Sequence, residues 1–243
     1  MPELSVLIPD GENEHTLWVA RSLAQSGQVK VSILSSKRWT PVRFSRHCRP
    51  YEFRPTGTDR HARLRALTEV TRRIPVDVIL PVGEEGVLFA SVERKALSKL
   101  AALPPLPDPD SLRTARNKWL LNQFARQHHL PAPESVLVTL DEAFGQRIPT
   151  LQYPVLLKPT SMADGQGIRR FDTPTDLRTF LRGQDTALPK NRYLTQTYVS
   201  GSDLGLSVLC HNGDVLAFAI QRGIISAAHR FGPLMAMEFI PAS

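Results

Sequence analysis

The chain has 243 residues, 42% of them hydrophobic and 22% charged, and carries a net charge of +7 at pH 7. This length holds one large or two modest domains with a real core, and the composition is that of an ordinary soluble globular protein. No apolar run approaches the ~20 residues that span a bilayer, residues 1–10 lack a basic-then-apolar leader pattern, and Cys48 and Cys210 form neither a metal spacing nor a disulfide framework, which fits a reducing cytoplasm.

In chain order, Leu4–Ile8 reads as an apolar strand, Pro9–Asn13 as its turn and His15–Gln25 as an amphipathic helix stopped by Gly27. Val29–Leu34 and Tyr51–Arg54 are the next strands, the helix Asp59–Arg73 precedes a fourth strand at Val76–Val82, and Glu84–Leu100 is another helix. Strands alternating with helices predict an α/β domain, residues 1–103, built on a parallel sheet covered on both faces.

The excess charge is local to this domain. Residues 37–73 hold eleven Lys/Arg against three Asp/Glu, nearly all arginine, without the aromatic interleaving of a single-strand-binding surface. Several of these arginines lie on the Asp59–Arg73 helix, whose Leu64, Leu67 and Val70 mark a buried face. A solvated helix face is the expectation, nucleic acid is not an expected partner, and a polyanion site is the alternative.

Two turns at the sheet edge, Asp10–His15 and Gly83–Gly86, carry carboxylates instead of G-x-G-x-x-G. They disfavour a dinucleotide and leave two readings, helix caps or a small polar substrate site. The histidines match no ligand set, and no nucleophile elbow is present.

Four prolines in Leu103–Pro109 predict a stiff connector, followed by a short helical turn capped by Asp110 or Ser111. Asn117–His129 is a helix with Trp119, Leu120, Phe124 and Ala125 turned inward, ended by Pro131 and Pro133. Strands follow at Ser135–Val138, Val155–Lys158, Ile168–Phe171, Arg192–Tyr198, Asp203–His211 and Val215–Arg222, with a helix at Thr175–Gly183 and a hairpin turn at Asn212-Gly213. This block predicts an α+β domain on an antiparallel sheet.

Its most informative stretch is Tyr153–Pro159 followed by Thr160–Ile168. A short apolar strand ends in Lys158 and opens into a small-residue loop with Gly165 and Gly167. Glycines let backbone N–H groups turn toward phosphate oxygens, and a strand-end lysine supplies a point charge for the same anion. It is not a Walker loop, since no Gly-Lys-Ser/Thr follows; a β-hairpin with a loose loop and a surface lysine is the alternative. A third segment, Tyr193–Asp203, runs a strand into a glycine bend and a carboxylate. Its backbone suits an adenine edge and Asp203 suits ribose hydroxyls, or the segment is a plain strand connection.

Taken in order, these pieces resemble the ATP-grasp superfamily, in the branch of the carbamoyl-phosphate synthase large chain and the carboxylate–amine ligases. The resemblance runs over nearly the whole chain. It rests on the N-terminal α/β block, on Asn117–Leu121 with Leu130-Pro131-Ala132-Pro133, on Tyr153–Ile168, and on Gln196–Asp203, where the family usually has Glu-Glu-Tyr-Ile-x-Gly-x-Glu/Asp. It implies a pre-ATP-grasp (Rossmann-like) α/β domain at 1–103, a lysine and lid subdomain at 110–195, and the start of a second subdomain at 196–243. Lys118 and Lys158 would contact ATP phosphates, and the loop with Ser161, Asp164, Gly165 and Gly167 would close over them. Gln196, standing for the usual glutamate, together with Thr197 and Val199 would meet adenine; Asp203 would bind ribose, and Arg222 would reach the reacting phosphoryl group unless it is a plain surface arginine.

The reaction so implied makes an acyl phosphate from a carboxylate and ATP, which an amine then displaces, with Mg²⁺ as cofactor, small-molecule carboxylate and amine partners, and a homodimer among the assemblies open to it. The sequence departs from the family at its end, because two residues after Glu238 stands Ile240 where Glu-x-Asn would place its asparagine. The chain is thus expected to be C-terminally incomplete and inactive alone, with a non-catalytic nucleotide-binding or regulatory module, or a basic polyanion binder, as the alternatives.

Overall fold

The computed structural model describes residues 3–138, 142–163, 165–183, 193–226, 231 and 234–241. They belong to two compact units, Met1–Leu112 and Arg113–Ser243.

In the first unit, β1 (Leu4–Ile8), β2 (Val29–Ser35), β3 (Cys48–Phe53) and β4 (Val78–Ile79) form a parallel sheet in the order β3-β2-β1-β4. Successive strand residues feed opposite cores. Val6, Ile8, Val31 and Ile33 pack with Ala20 of α1 (Thr16–Gln25), whereas Leu7 and Leu34 pack with Leu67 and Val70 of α2 (Arg60–Arg73). Both faces are covered, which is why these strands read as unbroken apolar runs.

The expected elements shift where long-range contacts intervene. The third strand begins at Cys48, three residues early, because Val31 pairs with it. The fourth shrinks to Val78–Ile79, whose outer neighbour is a single bridge to Ala102. The helix expected over Glu84–Leu100 parts into α3 (Glu84–Val92) and α4 (Arg94–Leu97). At the junction Glu93 leaves helical geometry (φ −92°, ψ 15°) and pairs with Arg60 of α2.

The proline-rich connector is strapped down. Leu103 and Leu106 pack on the core beside α2, and Ser91 and Arg94 both donate to the Pro107 carbonyl. The helix that follows, α5 (Pro109–Arg116), is capped by Asp108, which accepts from the N–H groups of Asp110 and Ser111 at 3.0 and 2.9 Å. The cap therefore precedes the two residues expected to supply it.

In the second unit, α6 (Lys118–Gln127) precedes β5 (Ser135–Val138), α7 (Glu142–Arg147), β6 (Val155–Pro159), β7 (Arg169–Phe171), α8 (Pro174–Arg182) and β8 (Tyr193–Thr197). The four strands make an antiparallel sheet in the order β5-β8-β6-β7. One face carries Val138, Val155, Leu157, Phe171 and Tyr193, packed with Leu177 and Leu181 of α8. By the period-2 rule the other face carries Ser135, Leu156, Lys158, Leu194 and Gln196.

Helix α6 is rotated relative to the sequence expectation. Leu120, Leu121 and Phe124 are exposed, and Asn122 is the buried side chain. Polar tethers set the rotation: Asn117 caps the helix, the Lys118 N–H donates to the Thr160 carbonyl, and Asn122 Nδ2 donates to the Pro133 carbonyl at 2.9 Å.

A second sheet, β11-β10-β9, joins β9 (Leu204–His211), β10 (Asp214–Ser226) and β11 (Leu234–Ile240), all antiparallel. Asn212 (φ 52°) and Gly213 (φ 92°) form the two-residue turn read from the sequence. β10 runs longer than expected and β11 was not expected as a strand. Leu206, Phe218 and Phe239 on this sheet are solvent-exposed.

Candidate functional site

Strand register places the site on the face of the β5-β8-β6-β7 sheet opposite the core. Leu156 lies across from Gln196 and Lys158 across from Leu194, so Lys158 and Gln196 are diagonal neighbours on one face. Lys158 Nζ donates to Gln196 Oε1 at 2.6 Å, and Gln196 Nε2 donates to Ser135 Oγ at 3.0 Å. Ser135 Oγ in turn donates to the Pro133 carbonyl at 3.2 Å. Chemistry fixes every direction, since an ammonium only donates and a carbonyl only accepts. The Gln196 amide is thereby locked with its oxygen toward the lysine.

Lys158 is satisfied by a neutral group, so its charge is not cancelled. Burial lowers the pKa of its ammonium below the ordinary lysine value, and the positive charge of Lys118 lowers it further. Lys118 stands at the start of α6, and its Nζ donates to the Met162 carbonyl in the glycine loop. Helix, loop and strand-end lysine thus form one cationic corner.

The loop depends on its glycines. Gly165 (φ 70°) and Gly167 (φ 72°) are left-handed, and a Cβ at Gly167 would lie 2.8 Å from Pro159 Cγ. Ser161 is exposed on this loop. Asp164, the fourth loop residue expected at the site, lies outside the described residues.

A cavity of about 480 Å³ opens over the sheet face. Leu156, Ile168 and Val199 supply apolar wall, and Lys158, Gln196, Thr197 and Asp203 supply polar groups. Thr197 donates its N–H to the Glu134 carbonyl, and Tyr198 donates its own to that of Pro154, both at 2.9 Å. The N–H groups of both residues are thus engaged within the protein. Gly201 (φ 153°) bends the chain between Val199 and Asp203.

Arg222 does not line this cavity. It sits opposite Glu238 in the β10–β11 pairing and forms an ion pair with it at 3.3 Å. Val199 of the apolar wall was expected at the site, whereas Ser135, Leu156 and Ile168 were not singled out as site residues from sequence. Alternation from Lys158 points to Leu156, but nothing local marks Ser135. Among the described residues no three His, Cys, Asp or Glu side chains gather as a metal site, and no helix is long and apolar enough to cross a membrane.

The profile of the ATP-grasp domain matches residues 115–236, half of the chain. The chain belongs to the ATP-grasp family. Solved structures that share its fold include an L-amino acid ligase from Bacillus licheniformis, 19% identical with a TM-score of 0.64, over 92% of this chain and 50% of that one. The N5-carboxyaminoimidazole synthetase from Staphylococcus aureus, complexed with ADP, is 18% identical with a TM-score of 0.67, over 92% and 56%. Biotin carboxylase from Campylobacter jejuni is 15% identical with a TM-score of 0.65, over 93% and 52%. These identities establish likeness of fold, and the chain spans about half the length of these structures. Within the ATP-grasp domain, Lys158, Gln196 and the glycine loop all fall inside the matched segment.

Proposed function

We propose that this chain binds ATP in the cavity beside Lys158 and Gln196 and forms the nucleotide-binding part of an ATP-dependent carboxylate–amine ligase. The observation that carries the reading is the Lys158–Gln196 pair at 2.6 Å: a half-buried ammonium held by a neutral amide keeps its full charge for a phosphate.

The residues present fit the nucleotide. Lys158 and Lys118 face the phosphates, and the loop with Ser161, Asp164, Gly165 and Gly167 covers them. Leu156, Ile168 and Val199 sandwich the base, the Gln196 oxygen and the Thr197 carbonyl accept from its amino group, and Asp203 accepts from ribose hydroxyls. For Arg222 to act on a phosphoryl group it has to exchange Glu238 for the phosphate.

ATP supplies the phosphoryl group that turns a carboxylate into an acyl phosphate open to an amine. The chain's own task is positioning and charge neutralisation, which is most of what phosphoryl transfer asks of a protein. No step is assigned to Mg²⁺, because the described residues bring no metal-ligating trio together. A reducing cytoplasm suits the two free thiols, Cys48 and Cys210.

The test is a calorimetric titration of the chain with ATP beside Lys158→Ala. Binding that weakens at least about tenfold in the variant, the loss of one charge-assisted contact, supports the reading. A folded chain that binds equally with and without Lys158, or does not bind, overturns it. The Arg222–Glu238 pairing favours a second reading, a nucleotide-binding module without turnover; ATP-dependent phosphate release with a panel of carboxylates and amines separates the two.

A further inference from the structure

Two groups of basic residues stand apart once the chain is folded, one on and beside α2 and one that joins Arg21 to the cations of residues 37–49. On and beside α2, Arg60 pairs with Glu93, Arg63 with Asp10, Arg73 with Glu52, and Arg54 with Glu52 and Glu69. These charges are compensated within the unit, and the Arg63–Asp10 pair is largely withdrawn from solvent, unlike the solvated helix face expected from the sequence. Among the described residues no carboxylate pairs with Arg21, Lys37, Arg38, Arg43, Arg46 or Arg49.

This second group surrounds the short 3-10 turn Pro41–Phe44, and aromatic rings are set among it. Trp39 and Phe44 lie parallel, with centroids 6.1 Å apart and an interplanar angle of 9°. The Arg43 guanidinium sits 4.7 Å from the Trp39 ring centre and 5.3 Å from that of Tyr51, and Arg38 is 5.8 Å from Trp39. On α1, which packs against this turn, Arg21 lies 5.4 Å from the Trp18 ring. Arg21 also lies close enough to Cys48 to oppose the rise in thiol pKa that burial causes there. The rings are presented to solvent: Trp18 is 65% exposed, Trp39 64% and Phe44 74%. The sequence expectation that this basic stretch lacks interleaved aromatics is corrected here, because Trp39, Phe44 and Tyr51 stand within it and Arg38 and Arg43 lie against the Trp39 and Tyr51 rings.

We propose that this face of the first unit, built from Trp18, Arg21, Arg38, Trp39, Arg43 and Phe44, binds single-stranded nucleic acid, with bases stacked on the rings and phosphates on the guanidinium groups. Three features select this occupant. Uncompensated cations call for a polyanion. Exposed flat rings flanked by arginine match bases, which offer a π-face whatever their sequence. An acidic peptide would satisfy the arginines and leave the rings without a flat partner. A lipid surface would call for aliphatic side chains, and among the described residues of this unit the exposed large apolar side chains are Leu4 and these three aromatics. The inference is independent of the ATP cavity, since every residue it uses lies in Met1–Leu112.

The experiment is fluorescence anisotropy of labelled dT20 and U20 oligonucleotides titrated with the full chain over a salt series, with heparin and phosphatidylglycerol vesicles as competitors. Binding is expected to weaken with salt, and Arg38→Ala combined with Arg43→Ala should reduce the log–log slope by about 1.4, two single-strand phosphate contacts. Trp39→Ala and Phe44→Ala should each lower oligonucleotide affinity about tenfold or more at unchanged slope and leave heparin binding unmoved. Both rings are exposed, so neither substitution empties a core, and circular dichroism checks the fold. Absence of oligonucleotide binding at low salt overturns the proposal. So does binding indifferent to Trp39 and Phe44, or vesicles that displace oligonucleotide while heparin does not.

Discussion

Lys158 and Gln196 are joined by a 2.6 Å hydrogen bond in which the amide oxygen, not a carboxylate, receives the ammonium. Gln196→Glu would place a negative charge at that distance and raise the lysine's pKa. Since phosphate binding needs the protonated lysine, ATP affinity in the parent should fall as pH rises through the depressed pKa, below the ordinary 10.5. In Gln196→Glu that fall should move to higher pH. Affinity measured between pH 8 and 10.5 reads the shift directly, and an unmoved profile would dissociate Lys158 from the binding step.

Lys118 acts on the same group from the other side, through its charge. Lys118→Met removes a repelling cation, so the Lys158 pKa should rise and the alkaline loss of affinity should again move upward. At pH 7.5 the affinity should nevertheless drop about tenfold, one phosphate contact being lost. An alkaline loss that moves upward while affinity at pH 7.5 falls distinguishes this from general damage to the site.

Gly167→Ala combines a left-handed backbone with a Cβ 2.8 Å from Pro159 Cγ. The conformational cost alone is about 1–2 kcal/mol, which lowers Tm by about 2–4 °C per kcal/mol in a chain of this size. ATP affinity should fall with it, because the loop leaves its place beside Lys158. Gly183→Ala, where the nearest atom would be 3.6 Å away, serves as the control and should stay within about 0.5 kcal/mol.

Asp10 is buried and accepts from the N–H groups of Val82 and Gly83 at 2.7 and 3.2 Å. Burial raises its pKa above 3.8, while these N–H groups and Arg63 oppose the rise. The native state therefore holds its proton more tightly than the unfolded chain does. That contribution to stability is fully present below about pH 3.8 and is lost as pH rises through the native pKa. Asp10→Asn removes the titration, so the difference in stability between variant and parent should move in favour of the variant between pH 4 and 7. Urea denaturation at the two pH values measures it.

Much of the second unit was legible because its signals are local. Lys158 ending an apolar strand, the paired glycines after it and the Asn212-Gly213 turn each declare themselves within a few residues. What escaped depends on distant partners. Asp10 finds Val82 and Gly83, seventy-odd positions away, so its role as a latch between two turns is invisible in either turn. Helix α6 looked apolar on the wrong side because hydrogen bonds to Thr160 and Pro133 outrank its leucines in setting the rotation. Glu93 breaks a sound helical pattern for the sake of Arg60, and Ser135 matters only through Gln196 on a strand sixty residues later.

The β5-β8-β6-β7 sheet uses its two faces differently, with the core on one and the polar groups of the cavity on the other. This couples the evolution of stability and of binding through parity. Point substitutions at 156, 158 or 196 can retune the cavity without touching the core. A one-residue slip of β8 against its neighbours would instead exchange the faces, sending Gln196 into the apolar layer and Tyr193 to the cavity side. Drift in this lineage should therefore show length changes within these strands only in pairs, with odd ones confined to the connections between them.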